Sequence, residues 1–255
     1  MGSGYFSKVY KLDDKYVFKI GHHEDISLNN FKLVDNSVFK NLKTWDGAIL
    51  AETGHIKFLK NANPAGKAIP VGVPSEITDI NEIKKIYKEK YLLKCVNLPQ
   101  KAFDDIALDF KTLNSIPNPD SNGRPFLFDT INPNNFLLSD DSIRIVDDFM
   151  LDGKTNNLSS MLNVMLCKYN LDKYVEFDKE LVEPRIKILL KCILAAEKAQ
   201  LPISTVDEDI VEHAFKNAGL DIRWPVFEQT INQLRQSVPD IEQRIKLLEE
   251  YFNQL

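Results

Sequence analysis

Cysteine is scarce in this chain of 255 residues, which contains three: Cys95, Cys167 and Cys192. They are odd in number, far apart and surrounded by apolar residues. A disulfide framework is typical of an even number of cysteines, and a zinc site is typical of closely spaced pairs. The sequence therefore predicts buried thiols in a reducing compartment. We expect the cytoplasm: a bacterial cytosol, or a host cytosol if the protein is an exported effector.

Long apolar runs are missing as well. No stretch of about eighteen consecutive apolar residues exists, which is the length that a membrane-spanning helix requires. The N-terminus lacks the charged-then-apolar pattern of a secretory signal, and Phe6 stands where an N-myristoylation motif needs Ser or Thr. The net charge is −5, which does not favour a nucleic-acid-binding surface. We therefore expect neither a membrane nor a nucleic-acid partner.

The composition is that of a soluble globular protein, with 44 % hydrophobic and 27 % charged residues. Its length allows one large domain or two lobes. Apolar spacing and helix-start residues predict that the second half is mainly helical. The predicted helices span residues 100–114, 158–171, 179–200, 205–218, 225–237 and 239–254.

The most informative stretch is residues 124–150, which reads RPFLFDTINPNNFLLSDDSIRIVDDFM. Residues 136–138 and 143–146 are apolar and predict two strands, joined by a turn over residues 139–142. The open end of this hairpin carries acids and amides, namely Asp129, Asn134, Asn135, Asp147 and Asp148. Such a cluster suits Mg²⁺, a hard cation that takes carboxylate and amide oxygens and is shared with substrate phosphates.

The stretch resembles the catalytic loop and metal-binding turn of the protein-kinase fold. In that family a metal-binding Asn follows the base Asp by roughly five residues, and a metal-binding Asp follows after about thirteen more. Asp129, Asn134 and Asp147 have this spacing. The resemblance implies that Asp129 is the catalytic base and that Asn134 and Asp147 hold the metal.

A register shifted by one residue has the same spacing and uses Thr130, Asn135 and Asp148. It places Phe149 after the metal-binding acid, as in the family's Asp-Phe-Gly motif. However, Thr130 has no carboxylate, which the base role requires. The first register is preferred for that reason, and a one-residue bulge that combines Asp129 with Asn135 is a third arrangement.

The beginning of the chain has the order Gly-x-Gly-x-Phe-x-x-Val-Tyr, which resembles the kinase glycine-rich loop. Glycine lets backbone amides approach phosphates because it has no Cβ. Ser7 stands where the third glycine of the family is found, and little of the family's first strand precedes the loop. The loop residues implied to contact ATP are Gly2, Ser3, Gly4, Tyr5, Phe6, Ser7 and Val9.

Lys19 lies inside the predicted strand 16–20, after a turn at residues 13–14. A lysine in an apolar strand is costly unless its ammonium is paired. This strand resembles the one whose lysine grips the α and β phosphates of ATP in kinases, which gives Lys19 that role.

Kinases pair that lysine with a glutamate on a helix. A helix that begins at Thr44 or Asp46 and runs to about Lys60 would carry Glu52 in its middle. We therefore assign Glu52 as the partner of Lys19. The rival partners are Glu24 and Asp35.

Residues 71–80 and 91–96 predict strands, joined by a charged connection over residues 81–90. The second of these falls where kinases have the hinge between their lobes. By that resemblance the backbone of Cys95, Val96 and Asn97 would bind adenine. The predicted fold is therefore α+β and two-lobed, with a small β-rich lobe over residues 1–97 and a mainly helical lobe over residues 98–255.

The resemblance implies an ATP- and Mg²⁺-dependent phosphotransferase that acts on Ser or Thr of a protein substrate. The family's His and Arg before the base are Leu127 and Phe128 here, and its Asp-Phe-Gly glycine is absent. These departures favour the alternative of a pseudokinase, which binds nucleotide or a partner protein without phosphoryl transfer. A small-molecule kinase and an enzyme that transfers AMP are two further alternatives on the same scaffold.

Overall fold

The structure is a computed structural model of the chain, and its fold is α+β. A six-stranded antiparallel sheet comes first along the chain, strands of two smaller antiparallel sheets follow up to residue 150, and helices make up most of the described residues after that. The described residues are 2–3, 7–21, 32–33, 39, 41–45, 49–53, 56–61, 68–70, 77–117, 125, 127–128, 135–146, 149–150, 156–166, 179–203 and 208–254.

A six-stranded antiparallel sheet lies near the start of the chain. Its strands are β1 (Gly2–Ser3), β2 (Ser7–Lys11), β3 (Tyr16–Gly21), β4 (Lys32–Leu33), β5 (Ile49–Thr53) and β6 (Ile56–Lys60). Their order across the sheet is β1-β2-β3-β6-β5-β4. β3 and β6 are therefore the two central strands.

The predicted turn between β2 and β3 is fixed by Asp13. Its Oδ1 accepts hydrogen bonds from the backbone N–H groups of Lys15 (2.7 Å) and Tyr16 (2.8 Å). Short polar side chains that satisfy backbone donors in this way favour turns. On one face of the sheet, the Phe58 ring packs against Tyr16 and Phe18 with centroid distances of 5.0 and 5.1 Å. These cross-strand aromatic contacts stabilise the pairing of β3 with β6.

The helix predicted over residues 44–60 is wrong. The chain forms β5 and β6 there, which pair as antiparallel neighbours with a register shift between Ile49 and Ala51. A helix would have to include Gly47 and Gly54, and each glycine in a helix interior costs about 1 kcal/mol. Gly54 falls between the two strands in sequence, where a glycine favours a turn.

The prediction of strands over residues 71–80 and 91–96 is wrong for the residues that the structure describes. These begin at residue 77. The chain there forms a continuous helix in three parts: α1 (Ile80–Ile86), a π-helical stretch (Tyr87–Leu92) and α2 (Leu93–Asn97). The Asp79 carboxylate caps its start by accepting a hydrogen bond from the Asn81 N–H at 2.8 Å.

This helix forms because its apolar residues recur at helical spacing. Ile83, Tyr87, Tyr91 and Cys95 follow one another at intervals of four, so they lie on one side of the helix, and all four are buried. The rings of Tyr87 and Tyr91 stack with centroids 5.7 Å apart. The short run at residues 91–96 has a composition that also suits a strand. The helix is favoured because it buries all four of these apolar residues on one side.

The remaining helices that the structure describes lie after residue 99, and the helices predicted there are confirmed where the structure describes them. The helices are α3 (Gln100–Asn114), α4 (Leu158–Met165), α5 (Val182–Ala199), α6 (Glu208–Asn217), α7 (Trp224–Ser237) and α8 (Ile241–Phe252). A 3₁₀ turn, Lys179–Leu181, leads into α5. Gly219, which follows the end of α6, has a φ of 79°, a conformation that glycine adopts without steric cost.

The hydrophobic core joins helices from Ile80 to the end of α8. The α3 residues Phe103 and Phe110 are fully buried at its centre. The predicted lobe boundary at residue 97 assigns the helix Ile80–Asn97 to the first lobe, yet its buried residues belong to this same core. None of the helices that the structure describes is long and apolar enough to cross a membrane.

Lys191 of α5 holds the end of the helix Ile80–Asn97. Its Nζ donates to the carbonyl oxygens of Val96 (2.6 Å) and Leu98 (2.5 Å). A helix C-terminus leaves such carbonyls without partners inside the helix, so a cation there is stabilising. Burial lowers the pKa of Lys191 below its ordinary value.

The buried cysteines provide a test of this packing. Burial raises the pKa of Cys95 to about 12 and raises that of Cys192 as well, and only the thiolate reacts with disulfide reagents. In a Cys167→Ser variant we expect no rapid reaction with DTNB at pH 8 in the native protein, and two reactive thiols in guanidinium. A thiol that reacts fast in the native state would contradict the packing of the helix Ile80–Asn97 against α5.

Candidate functional site

Lys19 lies on the central strand β3, as predicted. Its Cα partners are Val9 on β2 and Lys57 on β6, and the residue is half-buried. Because side chains alternate between the faces of a strand, residues in one register row share a face. Lys19 and Val9, which are both predicted to contact ATP, therefore lie on the same face of the sheet.

Glu52 lies on β5 and not on a helix. It pairs with Lys57 on β6 and with Lys32 on β4. β5 is two strands away from β3, which puts the Cα atoms of Glu52 and Lys19 about 10 Å apart. The side chain of Glu52 and both rival partners, Glu24 and Asp35, lie outside the described residues. The pairing of Lys19 with Glu52 stays a prediction, and its helical setting is corrected.

The predicted glycine-rich loop falls on a hairpin. Gly2 pairs with Val9 and Ser3 pairs with Lys8, so β1 and β2 are antiparallel neighbours. The residues between them, Gly4, Tyr5 and Phe6, lie outside the described residues, as does the side chain of Ser7. The role of this loop in phosphate binding stays a prediction.

The extended hinge predicted at Cys95, Val96 and Asn97 is wrong. These residues form α2, in which the backbone N–H groups serve the helix, and Cys95 is fully buried. The Val96 carbonyl accepts from Lys191. The Cys95 carbonyl accepts from the Leu98 N–H. Groups engaged in this way are not the exposed donor and acceptor that an extended strand would offer adenine.

The predicted hairpin at residues 136–146 is confirmed. β9 (Phe136–Leu138) and β10 (Ile143–Ile145) are antiparallel, with Phe136 opposite Ile145. One further strand, β7 (Ile69–Pro70), pairs with β9. The turn is closed by Ser139, whose Oγ lies 2.6 Å from the Ser142 Oγ. A second pair, β8 (Leu127–Phe128) and β11 (Phe149–Met150), is also antiparallel.

These two strand pairs define the ends of the predicted acidic cluster. Phe128 is opposite Phe149, and the Val146 N–H donates to the Asn135 carbonyl at 2.9 Å. Val146 and Phe149 are three residues apart in the chain, so their Cα atoms are separated by at most about 11 Å. The two segments therefore share their end points. Phe128 and Phe149 are paired at one end, and Asn135 and Val146 are hydrogen-bonded at the other.

The acids assigned to catalysis and metal binding, together with Thr130 and Asn134, fall within those two segments. Asp129, Thr130, Asn134, Asp147 and Asp148 lie outside the described residues, so their roles stay predictions. Asn135 is described and buried. Within the described part of the chain, no group of three or more His, Cys, Asp or Glu side chains is arranged to hold a metal ion.

A buried acid that the sequence motifs did not indicate is Asp109 of α3, which is 1 % exposed. Its carboxylate accepts hydrogen bonds from the backbone N–H groups of Lys43 (2.9 Å) and Thr44 (2.7 Å) and from the Thr44 hydroxyl (2.6 Å). Burial raises the pKa of Asp109, and these donors lower it in part. In the sequence, Asp109 lies three residues after Ile106 and four before Leu113, so helical spacing places it with them on the buried side of α3.

A cavity of about 210 Å³ lies between Lys43, Thr44, Asp105, Ser142 and Arg144. It is smaller than the roughly 300–1,000 Å³ of typical ligand pockets. The described residues that are predicted to bind nucleotide do not line it. We therefore do not assign it to the nucleotide.

Comparisons with known proteins identify no relative. No protein-family profile, no curated protein and no solved structure matches the chain.

Proposed function

We propose that the chain is an ATP- and Mg²⁺-dependent phosphotransferase with a two-lobed protein-kinase-like fold, which transfers the γ-phosphoryl group to Ser or Thr of a protein. The observation that carries the proposal is the pairing of β8 with β11 and of β9 with β10. These pairs bracket the two short segments that contain every predicted catalytic acid.

The sheet supports the proposal independently. In kinases the lysine that contacts the phosphates lies on the third strand, and Lys19 lies on β3. The β1–β2 hairpin with its glycines is the neighbour of that strand. Gly2, Val9 and Lys19, which we propose as phosphate-binding residues, thus lie next to one another on consecutive strands of one sheet.

The chemistry of this reaction is positioning and charge neutralisation. In our proposal, Lys19 and the amides of the glycine-containing hairpin hold the phosphates. Asp129 orients the acceptor hydroxyl and takes its proton, and Asp147 with Asn134 provides the oxygen ligands that Mg²⁺ prefers. The bound ion supplies neutralisation of the phosphate charge.

A pseudokinase is the second candidate, and the residue types of β8 favour it. Leu127 and Phe128 replace the family's His and Arg, and their partners in β11 are Met150 and Phe149. An apolar strand pair here offers no cation to neutralise charge next to the predicted base. Such a protein would bind nucleotide without transferring phosphate.

Binding of nucleotide is tested by thermal unfolding. At one hundred times its Kd, ATP with Mg²⁺ stabilises the native state by about 2.7 kcal/mol, which raises the Tm by roughly 5–11 °C for a chain of this size. We expect Lys19→Met to remove most of the shift. Lys60→Met is the matched control, since Lys60 lies in the row of Tyr16 on the opposite face. An unshifted wild-type Tm at millimolar nucleotide would reject the site.

Phosphoryl transfer is tested with γ-labelled ATP and a mixture of candidate proteins, with the chain itself included as an acceptor. We expect label on Ser or Thr, and Asp129→Asn should abolish it while nucleotide affinity stays within about twofold, since the base contacts the acceptor and not the nucleotide. Asp141→Asn, an exposed turn acid at the closed end of the same hairpin, should leave transfer unchanged. Nucleotide binding without label in the wild type would favour the pseudokinase.

The register of the acids is tested by titrating Mg²⁺ against two variants. Asp147→Asn removes a direct metal ligand in the preferred register, so we expect it to weaken Mg²⁺-dependent nucleotide binding by about tenfold or more. Asp148→Asn should have a smaller effect. A larger loss from Asp148→Asn would assign the metal to the shifted register, with Asn135 and Thr130.

A further inference from the structure

We propose that Asp109 is a positioning residue: through Thr44 it fixes β10 and the chain that leaves β10 toward the predicted metal-binding acids. The effect on Mg²⁺ rests on the proposed function. The effect on β10 does not, because it follows from described hydrogen bonds alone.

The first step is the contact between Asp109 and the chain at residues 43–44. Asp109 Oδ2 accepts from the Thr44 N–H at 2.7 Å and from the Thr44 Oγ1 at 2.6 Å, and both carboxylate oxygens lie 2.9 Å from the Lys43 N. A buried charge is costly unless hydrogen bonds satisfy it, and charge-assisted bonds are the strong ones. This contact therefore holds the backbone of Lys43 and Thr44 against α3.

The second step leads from Thr44 to β10. The Thr44 carbonyl accepts a hydrogen bond from the Ile145 N–H at 2.7 Å, and Trp45 forms a parallel bridge with Ile145. The next residue, Val146, donates to the Asn135 carbonyl at 2.9 Å. Asp147 follows Val146 directly in the chain. Asp109 is thus linked through Thr44 and Ile145 to Val146, the residue before the predicted metal ligand Asp147.

The third step concerns what else the same segment connects. Phe39, Leu42 and Trp45 pack against the helical core, and the rings of Phe39 and Trp45 are in edge contact with centroids 5.0 Å apart. In sequence this segment stands between β4 and β5 of the sheet that carries Lys19. The contact with Asp109 therefore anchors this segment, which lies between β4 and β5 in sequence, to the helical core.

An acid is required at this position for a chemical reason. The groups that face Asp109 are donors: two backbone N–H groups and one hydroxyl. A carboxylate offers two acceptor oxygens, whereas an amide would place its NH₂ group against a donor. Asp109→Asn keeps the size of the side chain and loses this complementarity.

The test measures amide hydrogen exchange and Mg²⁺–ATP binding on the full chain. In Asp109→Asn we expect the Thr44 and Ile145 amides to exchange at least about tenfold faster, because their hydrogen-bonded segment opens locally, and Mg²⁺–ATP affinity to fall by about tenfold. Asp104→Asn is the matched control on the same helix. Asp104 makes a partly exposed ion pair with Lys198 of α5 at 2.9 Å, and such pairs contribute little, so neither readout should change.

Thr44 provides a milder pair of variants in case Asp109→Asn does not fold. Thr44→Val removes the hydroxyl bond and should increase exchange at Ile145, while Thr44→Ser keeps the bond and should restore wild-type exchange. Unchanged exchange at Ile145 in folded Asp109→Asn, or in Thr44→Val, would overturn the proposal. A wild type that does not bind Mg²⁺–ATP would remove the proposed function, and accelerated exchange at Ile145 would still establish the role of Asp109 in holding β10.

Discussion

Burial of α3 is the constraint on which the rest of the structure depends. Its residues Phe103, Ile106, Phe110 and Leu113 are fully buried, and burying each such side chain contributes about 1.5–3 kcal/mol. α5 packs along α3, and β8 and β10 both contact it. Two of the four strands that bracket the predicted catalytic segments, β8 and β10, are therefore placed by their packing on this one helix.

Two buried carboxylates stabilise the helical half in different ways. Glu197 of α5 accepts from Arg235 Nε (2.8 Å) and Arg244 Nε (2.7 Å), and Arg244 also donates to the Val238 carbonyl at 2.6 Å. These bonds fix α7 and α8 on α5, and breaking such a buried pair costs about 3–5 kcal/mol. Asp109 instead binds backbone donors, so it positions a segment of chain and not another side chain.

The fold and the candidate site were predictable to different degrees. α3 and the hairpin 136–146 follow from local patterns: apolar residues at helical spacing in one case, and two apolar runs around a polar turn in the other. Glu52 and Cys95 were misplaced because their segments are ambiguous locally. Residues 49–60 alternate well enough for strands, and the stripe from Ile83 to Cys95 becomes visible only when four turns are considered together.

The sequence by itself determined α3, the hairpin 136–146, the position of Lys19 on a strand and the order of the acids along the chain, because these depend on neighbouring residues and on their spacing. Tertiary structure decided that residues 80–97 are helical, that Glu52 lies two strands from Lys19, and that Asp109 holds Thr44 and through it β10. Those outcomes depend on contacts between residues far apart in the chain. Burial of an apolar stripe and satisfaction of a buried carboxylate are properties of the packed molecule, and no short window of sequence contains both partners.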